Sequence, residues 1–394
     1  MLKKLVTLFA TTLVLQGSAL AQETIKVGLL NMDSGPFAVV GKYIAEGAAF
    51  AIESLNAQGG ALGRKYELVT QAHAGTPAAA IASYQKLVEQ QGITFVTGLN
   101  ISSTALALAP KVATMNALLI DSTTAADALV GKQCSQNYFR IAMSDAMIMQ
   151  ANREIVKKSG VKNWDILAAD YAAGHDYASK FAALVKDGGG TVQNTLFAPL
   201  STTDFGSYIT QLSAKPADGL MVMFPGGGAI ALAKQQAQFG LFGKFKNVIT
   251  AYFTNDTLVD AQGDTTVGLF TLQDYQWQLP GAKNAAFVKA FEARYKRKPS
   301  YLDGNLYVSI ELLHEAILKA KSTDLAAVRS AMAGLKYNSV GGGEVEMRAG
   351  DHQMMRPLSL VQVVKAGEGK AQMTMKEIQP VSLVTPPVSP ECKM

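Results

Sequence analysis

The sequence predicts an α/β protein of two doubly wound lobes, each a parallel β-sheet with helices on both faces. Three observations favour this fold class. The chain has 394 residues, of which 48% are apolar and 17% charged, so it can bury more than one core. From Thr24 onward, short β-rich runs alternate with longer helical patterns, which is typical of parallel sheets. This alternation comes in two series, separated by the stretch FRIAMSD.

The N-terminus, residues 1–21, has the pattern of a secretory signal peptide. Lys3 and Lys4 precede the apolar run 5–15, and a small-residue site ends at Ala21. The run is too short to span a bilayer, and no later segment reaches about 18 uninterrupted apolar residues. We therefore expect cleavage after Ala21 and an exported, soluble protein.

The elements of the first series follow in order. Its strands are predicted in TIKVGLLN, KYELVTQA, ITFVTG and ALLID, and its helices over Val39–Asn56, Pro77–Gln90 and Ser102–Met115. The strands of the second series are NWDILAAD, TVQNTLFA, DGLMVMFP and KNVITAYF, with helices over Asp176–Asp187, Asp204–Ala214 and Gly228–Phe239. The segments that could complete either lobe are VGLFTLQ, EVEM, PLSLVQVV and the helices Asn284–Arg297 and Gly304–Lys321. The chain should therefore cross between lobes more than once.

Polar turns follow several of these strands. In open parallel sheets, ligands bind beyond the carboxyl ends of the strands, where loops lead into helix N-termini. The turn GLNISST supplies Asn100, Ser102 and Ser103, and the turn DSTTAAD supplies Thr123 and Thr124. Either serine can cap the next helix, whose free N–H groups favour an anion. One cap explains one serine, so the whole polar run favours a ligand-binding role.

Aromatic residues recur at or near the same turns, and they are Phe37, Tyr171, Phe224, Tyr252 and Tyr275. Each alone is more often a packed core residue, but five together suit a cleft that stacks a flat apolar group and hydrogen-bonds a polar head. Gly226 opens a triple glycine without the Lys-Ser/Thr of a phosphate loop, so it favours close approach of the backbone to a ligand.

Motifs for catalysis, metals and nucleotides are not found in the sequence. It has no G-x-S-x-G elbow, Walker loop or GxGxxG after the first strand, and its four histidines lack zinc-binding spacing. Lys3 and Lys4 account for two of the +5 formal charges, and the basic cluster Arg294–Lys298 ends an amphipathic helix. We therefore expect no catalytic residue, metal, cofactor or nucleic acid partner.

Two cysteines, Cys134 and Cys392, lie far apart in this exported chain. One disulfide between them is the simplest interpretation. It would close a loop of about 259 residues, stabilise the fold by about 5 kcal/mol in the chain-entropy model and fix the C-terminal tail.

Several stretches resemble the type I periplasmic binding proteins of ABC importers, in the branched-chain amino acid binding group. The opening stretch IKVGLLNMDSGPF with LNAQGGALG carries this resemblance, and FVTGLNISSTALALAP, DYAAGHD and FPGGGAIALAKQQAQFGL look most like the subgroup for aromatic compounds. The resemblance implies two lobes, 22–143 plus 273–340 and 144–272 plus 341–394, joined by a three-crossover hinge. Ligand would be trapped as the lobes close.

The resemblance also implies residue roles. The loops 100–104 and 122–126 look like the carboxylate-binding elements of the first lobe. Tyr171, the turn Phe224–Gly226 and Tyr252 fall where the second lobe closes over the ligand. The family pattern has cysteines near the two positions found here, which favours the disulfide.

One departure bears on the ligand. Amino acid binding members carry a glutamate where this chain has Tyr252, and a buried ammonium without its counter-charge costs several kcal/mol. Asp256 or Asp303 could still supply an acid. We therefore expect a small organic acid with an aromatic or otherwise apolar body.

The resulting expectation is a monomeric periplasmic receptor that performs no chemistry and delivers its ligand to an inner-membrane permease and its ATPase. The alternatives are an amino acid or amide binder of the same fold, a sensor ectodomain and an amidohydrolase-like enzyme.

Overall fold

The computed structural model describes residues 23–34, 38–99 and 101–394. The predicted signal peptide, Phe37 and Asn100 lie outside these residues. In the described part of the chain, no helix is both long and apolar enough to cross a membrane.

Five of the described strands form a parallel sheet, here called the first sheet. They are β1 (Ile25–Asn31), β2 (Tyr66–Ala72), β3 (Phe95–Gly98), β4 (Leu118–Asp121) and β5 (Tyr138–Arg140). Their spatial order is β2-β1-β3-β4-β5. The helices connecting them are α1 (Ala38–Ala57), α2 (Pro77–Gln85) and α3 (Ser102–Val112), with a π-helical turn, Lys86–Gln90, after α2. The alternation of the first series is therefore confirmed.

The second sheet contains seven described strands. They are β6 (Asn163–Ala169), β7 (Thr191–Ala198), β8 (Gly219–Met223), β9 (Asn247–Ala251), β10 (Phe270–Gln273), β14 (Leu358–Gly367) and β15 (Lys370–Gln379). The spatial order is β15-β14-β10-β9-β8-β6-β7. Strands β6 to β10 are parallel, whereas β14 and β15 add an antiparallel edge. The helices of this part are α4 (Asp145–Ser159), α5 (Ala172–Asp187), α6 (Gly206–Ala214), α7 (Gly226–Phe239), α8 (Val259–Gln262) and α12 (Val381–Val384).

The segment between β10 and β14 returns to the first sheet. It contains the helices α9 (Ala282–Tyr295), α10 (Tyr301–Ala320) and α11 (Leu325–Met332), followed by a small sheet of β11 (Lys336–Ser339), β12 (Gly343–Met347) and β13 (Met354–Met355). Residues 341–355 were expected in the second lobe. Val345, Met347 and Met354 instead pack with the core of the first sheet, because β12 pairs with β11 and not with β14.

Helix α10 packs closely on α1 over the first sheet. A Cβ atom at Gly47 would lie 2.7 Å from the Cα atom of Asp303, so this crossing requires glycine. Ser300 and Asp303 form a capping box at the start of α10, which satisfies two free N–H groups. This packing fixes the position of Tyr301, the first residue of α10.

The chain passes between the two sheets three times, after β5, β10 and β13. Buried side chains connect the three crossings. The Asp274 carboxylate accepts hydrogen bonds from the Met143 N–H at 3.0 Å and the Asn305 amide at 2.9 Å, and the Arg356 guanidinium donates to Asn305 Oδ1 at 3.0 Å. Met143, Asp274 and Arg356 each lie on one of the three crossings, so hydrogen bonds link all three crossings into one hinge.

The disulfide predicted between Cys134 and Cys392 is confirmed, with an S–S distance of 2.06 Å. Cys134 lies just before β5 of the first sheet, and Cys392 follows β15 of the second sheet. The bond therefore attaches the C-terminal tail to the opposite half of the molecule.

Candidate functional site

A small cavity of about 60 Å³ lies where loops of the two sheets meet. Its first side comes from elements that pack with the first sheet, and its second side from loops of the second sheet. The first side is lined by Val40, Ile101, Ser102, Thr123, Thr124, Ala125, Tyr301 and Leu302. The second side is lined by Tyr171, Ala173, Pro225, Gly226, Tyr252, Asn255, Thr257 and Leu258.

The N-terminus of α3 forms one wall of the first side. Ser102 is the first helical residue and is buried, and its hydroxyl makes no hydrogen bond with any described residue. The predicted capping by Ser102 or Ser103 does not occur, since the N-cap position is Ile101. A serine already inside the helix leaves the first N–H groups without a capping acceptor. The hydroxyl and the N–H of Ser102 are therefore available to a ligand.

The loop after β4 is held by the buried carboxylate of Asp121. Its Oδ1 atom accepts from the N–H groups of Thr123 and Thr124 at 3.1 and 3.0 Å, and its Oδ2 atom accepts from the hydroxyls of Thr124 and Tyr138. The Thr123 hydroxyl donates to the carbonyl of Leu99. Both threonines line the cavity, but their hydroxyls are engaged within the protein and shape the loop.

The electrostatic state of Asp121 follows from its burial. Desolvation raises the pKa of Asp121, and the hydrogen bonds from Thr124 and Tyr138 oppose this rise. A carboxylate with four donors around it orders the loop because each donor would otherwise be buried without a partner.

On the second side, two helices begin at the cavity. Tyr171 is the residue before α5, and Gly226 is the first residue of α7, with a φ of +71° that favours glycine. The third glycine of that run has another role, since a Cβ at Gly228 would lie 2.4 Å from the ring of Phe224. Sequence reasoning expected both helices to start later, at Asp176 and Gly228.

The loop after β9 supplies the remaining polar groups of the second side. Tyr252 has a φ of +57°, a strained conformation for a bulky residue and one that concentrates at functional sites. Asn255 Oδ1 accepts from both the N–H and the hydroxyl of Thr257, at 3.0 and 2.7 Å. The amide nitrogen of Asn255 is therefore the group left for another partner. The sequence predicted a site role for Tyr252 in this turn but not for Asn255 or Thr257, although Asn-x-Thr is a turn-forming pattern.

The described lining of the cavity is polar but uncharged. Among its described lining residues, none carries a charged side chain. Four helices, α3, α5, α7 and α10, contribute lining residues from their first turns. Helix N-termini present free N–H groups and the positive end of the helix dipole. The cavity therefore offers many hydrogen-bond donors without a formal positive charge.

Three of the expected site residues lie away from the cavity. Ser103 is half-buried on α3 but does not line it. Phe224 is fully buried against Phe205, with ring centroids 5.1 Å apart. Tyr275 is fully buried and donates to Asn284 Oδ1 at 2.8 Å. The rings of Phe224 and Tyr275 belong to the cores beneath the turns. Large apolar side chains at the ends of strands also serve to cover the faces of the sheets, so their position alone does not indicate a binding site.

The two acids considered as partners for an ammonium group are engaged elsewhere. Asp303 pairs with Arg297 at 2.7 Å. Asp256 accepts the N–H of Tyr301 at 3.2 Å, and desolvation raises the pKa of Asp256 to about 7. Neither residue lines the cavity.

Comparisons with known proteins agree with this fold. The model of the family described as "Periplasmic binding protein" matches residues 24–368. The Leu/Ile/Val-binding protein homolog 6 of Brucella melitensis is 25% identical over 364 residues, covering 90% of this chain and 91% of the relative.

Two solved structures have the same fold. A solute-binding protein of Rhodopseudomonas palustris BisB5, in complex with 3,4-dihydroxy benzoic acid, is 24% identical with a TM-score of 0.82, covering 91% of this chain and 98% of the other. Another from R. palustris, in complex with benzoate, is 24% identical with a TM-score of 0.83, covering 94% and 100%. These likenesses show the fold, and the match of the family model over most of the sequence shows that the chain belongs to the periplasmic binding protein family.

Proposed function

We propose that this protein is the periplasmic receptor of an ABC importer and that it captures a small aromatic carboxylate between its two lobes. The observation that carries the proposal is the cavity between the sheets, lined by helix N-termini, hydroxyls and tyrosine rings without a charged side chain. Such a lining stabilises a carboxylate through N–H groups and stacks an apolar body on its rings.

The carboxylate would bind at the N-terminus of α3, where no described residue caps the first-turn N–H groups or bonds to the Ser102 hydroxyl. The rings of Tyr171, Tyr252 and Tyr301 would cover the apolar part from several directions. Because the lining comes from both sheets, closure brings all of these contacts together. Ligand then shifts the hinge equilibrium through contacts that the open state lacks.

Two further features support the proposal. The family is named for the periplasm, and residues 1–21 have the pattern of an export signal. Two R. palustris proteins of the same fold hold benzoates. The protein would act as a monomer, perform no covalent chemistry and deliver its ligand to a permease coupled to an ATPase.

An amino acid ligand is the second candidate, because relatives such as the B. melitensis protein are named as Leu/Ile/Val-binding. An amino acid would bring an ammonium group into a cavity whose described lining has no carboxylate. A buried ammonium without a counter-charge costs several kcal/mol. The cavity therefore favours the organic acid.

The test is a thermal-shift panel on ligand-free protein, with benzoates and aliphatic amino acids at equal concentrations, followed by calorimetry. A ligand that binds the native state raises the melting temperature by mass action. We expect benzoates to raise it and leucine to leave it unchanged. If leucine alone raised the melting temperature, the ligand would be an amino acid and not an aromatic acid. If a ligand were recovered chemically changed, the protein would be an enzyme.

A further inference from the structure

Asn255, on the second side of the cavity, is held in place by the fold and keeps a donor that no described residue uses. Its Oδ1 atom accepts from the N–H and from the hydroxyl of Thr257, at 3.0 and 2.7 Å. Its backbone carbonyl accepts from the N–H groups of Leu258 and Val259, both at 3.0 Å. These four hydrogen bonds hold the residue in its turn without any help from a ligand.

The same bonds fix the direction of the Asn255 amide group. A backbone N–H can only donate, so the atom that faces the Thr257 N–H is the amide oxygen and not the nitrogen. No described residue accepts a hydrogen bond from the nitrogen, which is not fully buried, unlike the Tyr252 hydroxyl. Asn255 lines the cavity and keeps only 7% of its surface exposed. Its amide N–H groups are therefore reached from the cavity.

The turn itself does not require an amide at position 255. Asparagine, aspartate and serine side chains all accept from a backbone N–H two residues further on, so an aspartate could make the same two bonds with Thr257. The amide differs from a carboxylate in being neutral and in having two N–H donors. The choice between the two side chains therefore affects the cavity and not the turn.

The groups around the Asn255 amide suit a ligand that accepts hydrogen bonds. The described lining carries no charged side chain. The Thr257 hydroxyl gives its proton to Asn255 Oδ1, and the first side contributes the Ser102 hydroxyl and the first-turn N–H groups of α3. Donors therefore come from both sides. A carboxylate only accepts, whereas an ammonium group only donates, so an ammonium beside this amide would leave the N–H groups of both without an acceptor.

We propose that Asn255 is a specificity-determining residue, whose amide N–H donates to a carboxylate oxygen of the bound acid while Ser102 donates from the first side. The residue selects an anion over a neutral or cationic ligand of the same shape. Because its donor belongs to the second sheet, the bond forms only when the lobes are closed over the ligand. This inference rests on the proposed function and narrows it to a ligand whose carboxylate is contacted by both lobes.

The test uses three planar ligands of similar shape and different charge, which are benzoate, benzamide and benzamidine. Their dissociation constants are measured by calorimetry for wild type and three variants. Asn255→Ser keeps an acceptor for the turn and removes the amide donors, and Asn255→Asp keeps the acceptor and adds a negative charge. Asn338→Asp is the matched control, since Asn338 is exposed on β11 and does not line the cavity.

We expect the affinity for benzoate to fall by about tenfold in Asn255→Ser, the scale of one hydrogen bond to a charged group. It should fall by at least about a hundredfold in Asn255→Asp, because two like charges would meet in the closed cavity. The preference for benzoate over benzamide should fall in both variants, and benzamidine should bind Asn255→Asp more tightly than wild type. Asn338→Asp should bind all three ligands as wild type does.

Unchanged affinity for benzoate in Asn255→Ser would overturn the inference and leave the proposed function standing. Equal losses for benzoate and benzamide would do the same, because a defect of the fold lowers the affinity for both ligands alike. Should Asn255→Asp fail to fold, Asn255→Ser with these two ligands decides the question. Failure of wild type to bind benzoate or any other aromatic acid would overturn the proposed function and the inference together.

Discussion

The loop at residues 121–126 and the loop at residues 252–257 line the same cavity from different sheets, and they treat their polar groups in opposite ways. In the first loop, the Asp121 carboxylate accepts from four donors, one of them the Thr124 hydroxyl, and the Thr123 hydroxyl donates to the Leu99 carbonyl, so both threonine hydroxyls are engaged within the protein. In the second loop, the Tyr252 hydroxyl is buried without a partner, on a backbone with positive φ. The polar side chains of the first loop are therefore satisfied within the protein, whereas the second loop has a buried hydroxyl that no described residue satisfies.

Under the proposed function, this difference separates two roles. The preorganised loop supports the carboxylate site at the N-terminus of α3 at little cost on binding. A loop with unsatisfied groups discriminates between ligands, because a wrong ligand leaves those groups unpaired. Four predictions test whether the two sides are independent in this way.

The largest expected effect comes from removing the disulfide with Cys134→Ser and Cys392→Ser together. The bond joins residues 258 positions apart, so its loss should lower the free energy of unfolding by about 5 kcal/mol in the chain-entropy model. Urea denaturation of both proteins measures this difference. A reductant should lower the free energy of unfolding of wild type and leave that of the double variant unchanged. Equal values for the two proteins would mean that attaching the C-terminal tail through the disulfide does not stabilise the fold.

The next effect is that of Asp121→Ala on the first loop. The hydroxyls of Thr124 and Tyr138 would lose their acceptor inside the core, which should cost at least about 3 kcal/mol of unfolding free energy. Ligand affinity should fall as well, because the loop loses its shape. Denaturation and calorimetry on the same preparation separate the two losses, and a stable variant with normal affinity would show that Asp121 does not organise this side.

A smaller effect is expected for Ser102→Ala. Its hydroxyl makes no hydrogen bond with any described residue, so stability should change little while affinity for a benzoate falls by about 1–3 kcal/mol. Ser103→Ala is the matched control, because Ser103 lies one position further on the same helix and does not line the cavity. Equal affinities of the two variants would show that the N-terminus of α3 does not bind the carboxylate.

The last prediction concerns pH and the contact between Asp256 and the N–H of Tyr301, which joins the two sides. Burial raises the pKa of Asp256 to about 7 in the folded protein, from an ordinary value of 3.8. The folded state therefore binds the proton more tightly than the unfolded chain, and this contribution to stability is lost as pH rises from about 4 to about 7.

The measurement is the unfolding free energy at pH 5 and pH 8, for wild type and Asp256→Asn. The amide cannot titrate but can still accept from Tyr301. Wild type should lose more stability between the two pH values than the variant does. Identical differences would show that Asp256 does not titrate in this window.

Much of the architecture could be predicted from the sequence because the alternation of β-rich runs and amphipathic helices is a local pattern. The errors also have local causes. Helices α5 and α7 begin earlier than expected because Tyr171 and the glycines 226–228 are poor sequence signals for a helix start. Helix α4 was not predicted, and the lobe bounds placed β12 in the second lobe, whereas it pairs with β11.

The two series of βα units, the polar and aromatic turns at their strand ends, and the pair of cysteines are all visible in the amino-acid order of the chain. Which of those turn residues keep an unpaired polar group depends on how the chain folds. Thr124 is engaged because the Asp121 carboxylate lies beside it, whereas no described residue bonds to the Ser102 hydroxyl. Tyr275 is buried in the core and bonds to Asn284. The hydrogen-bond partners of these side chains are brought together by folding, so no local sequence pattern specifies which side chains are paired.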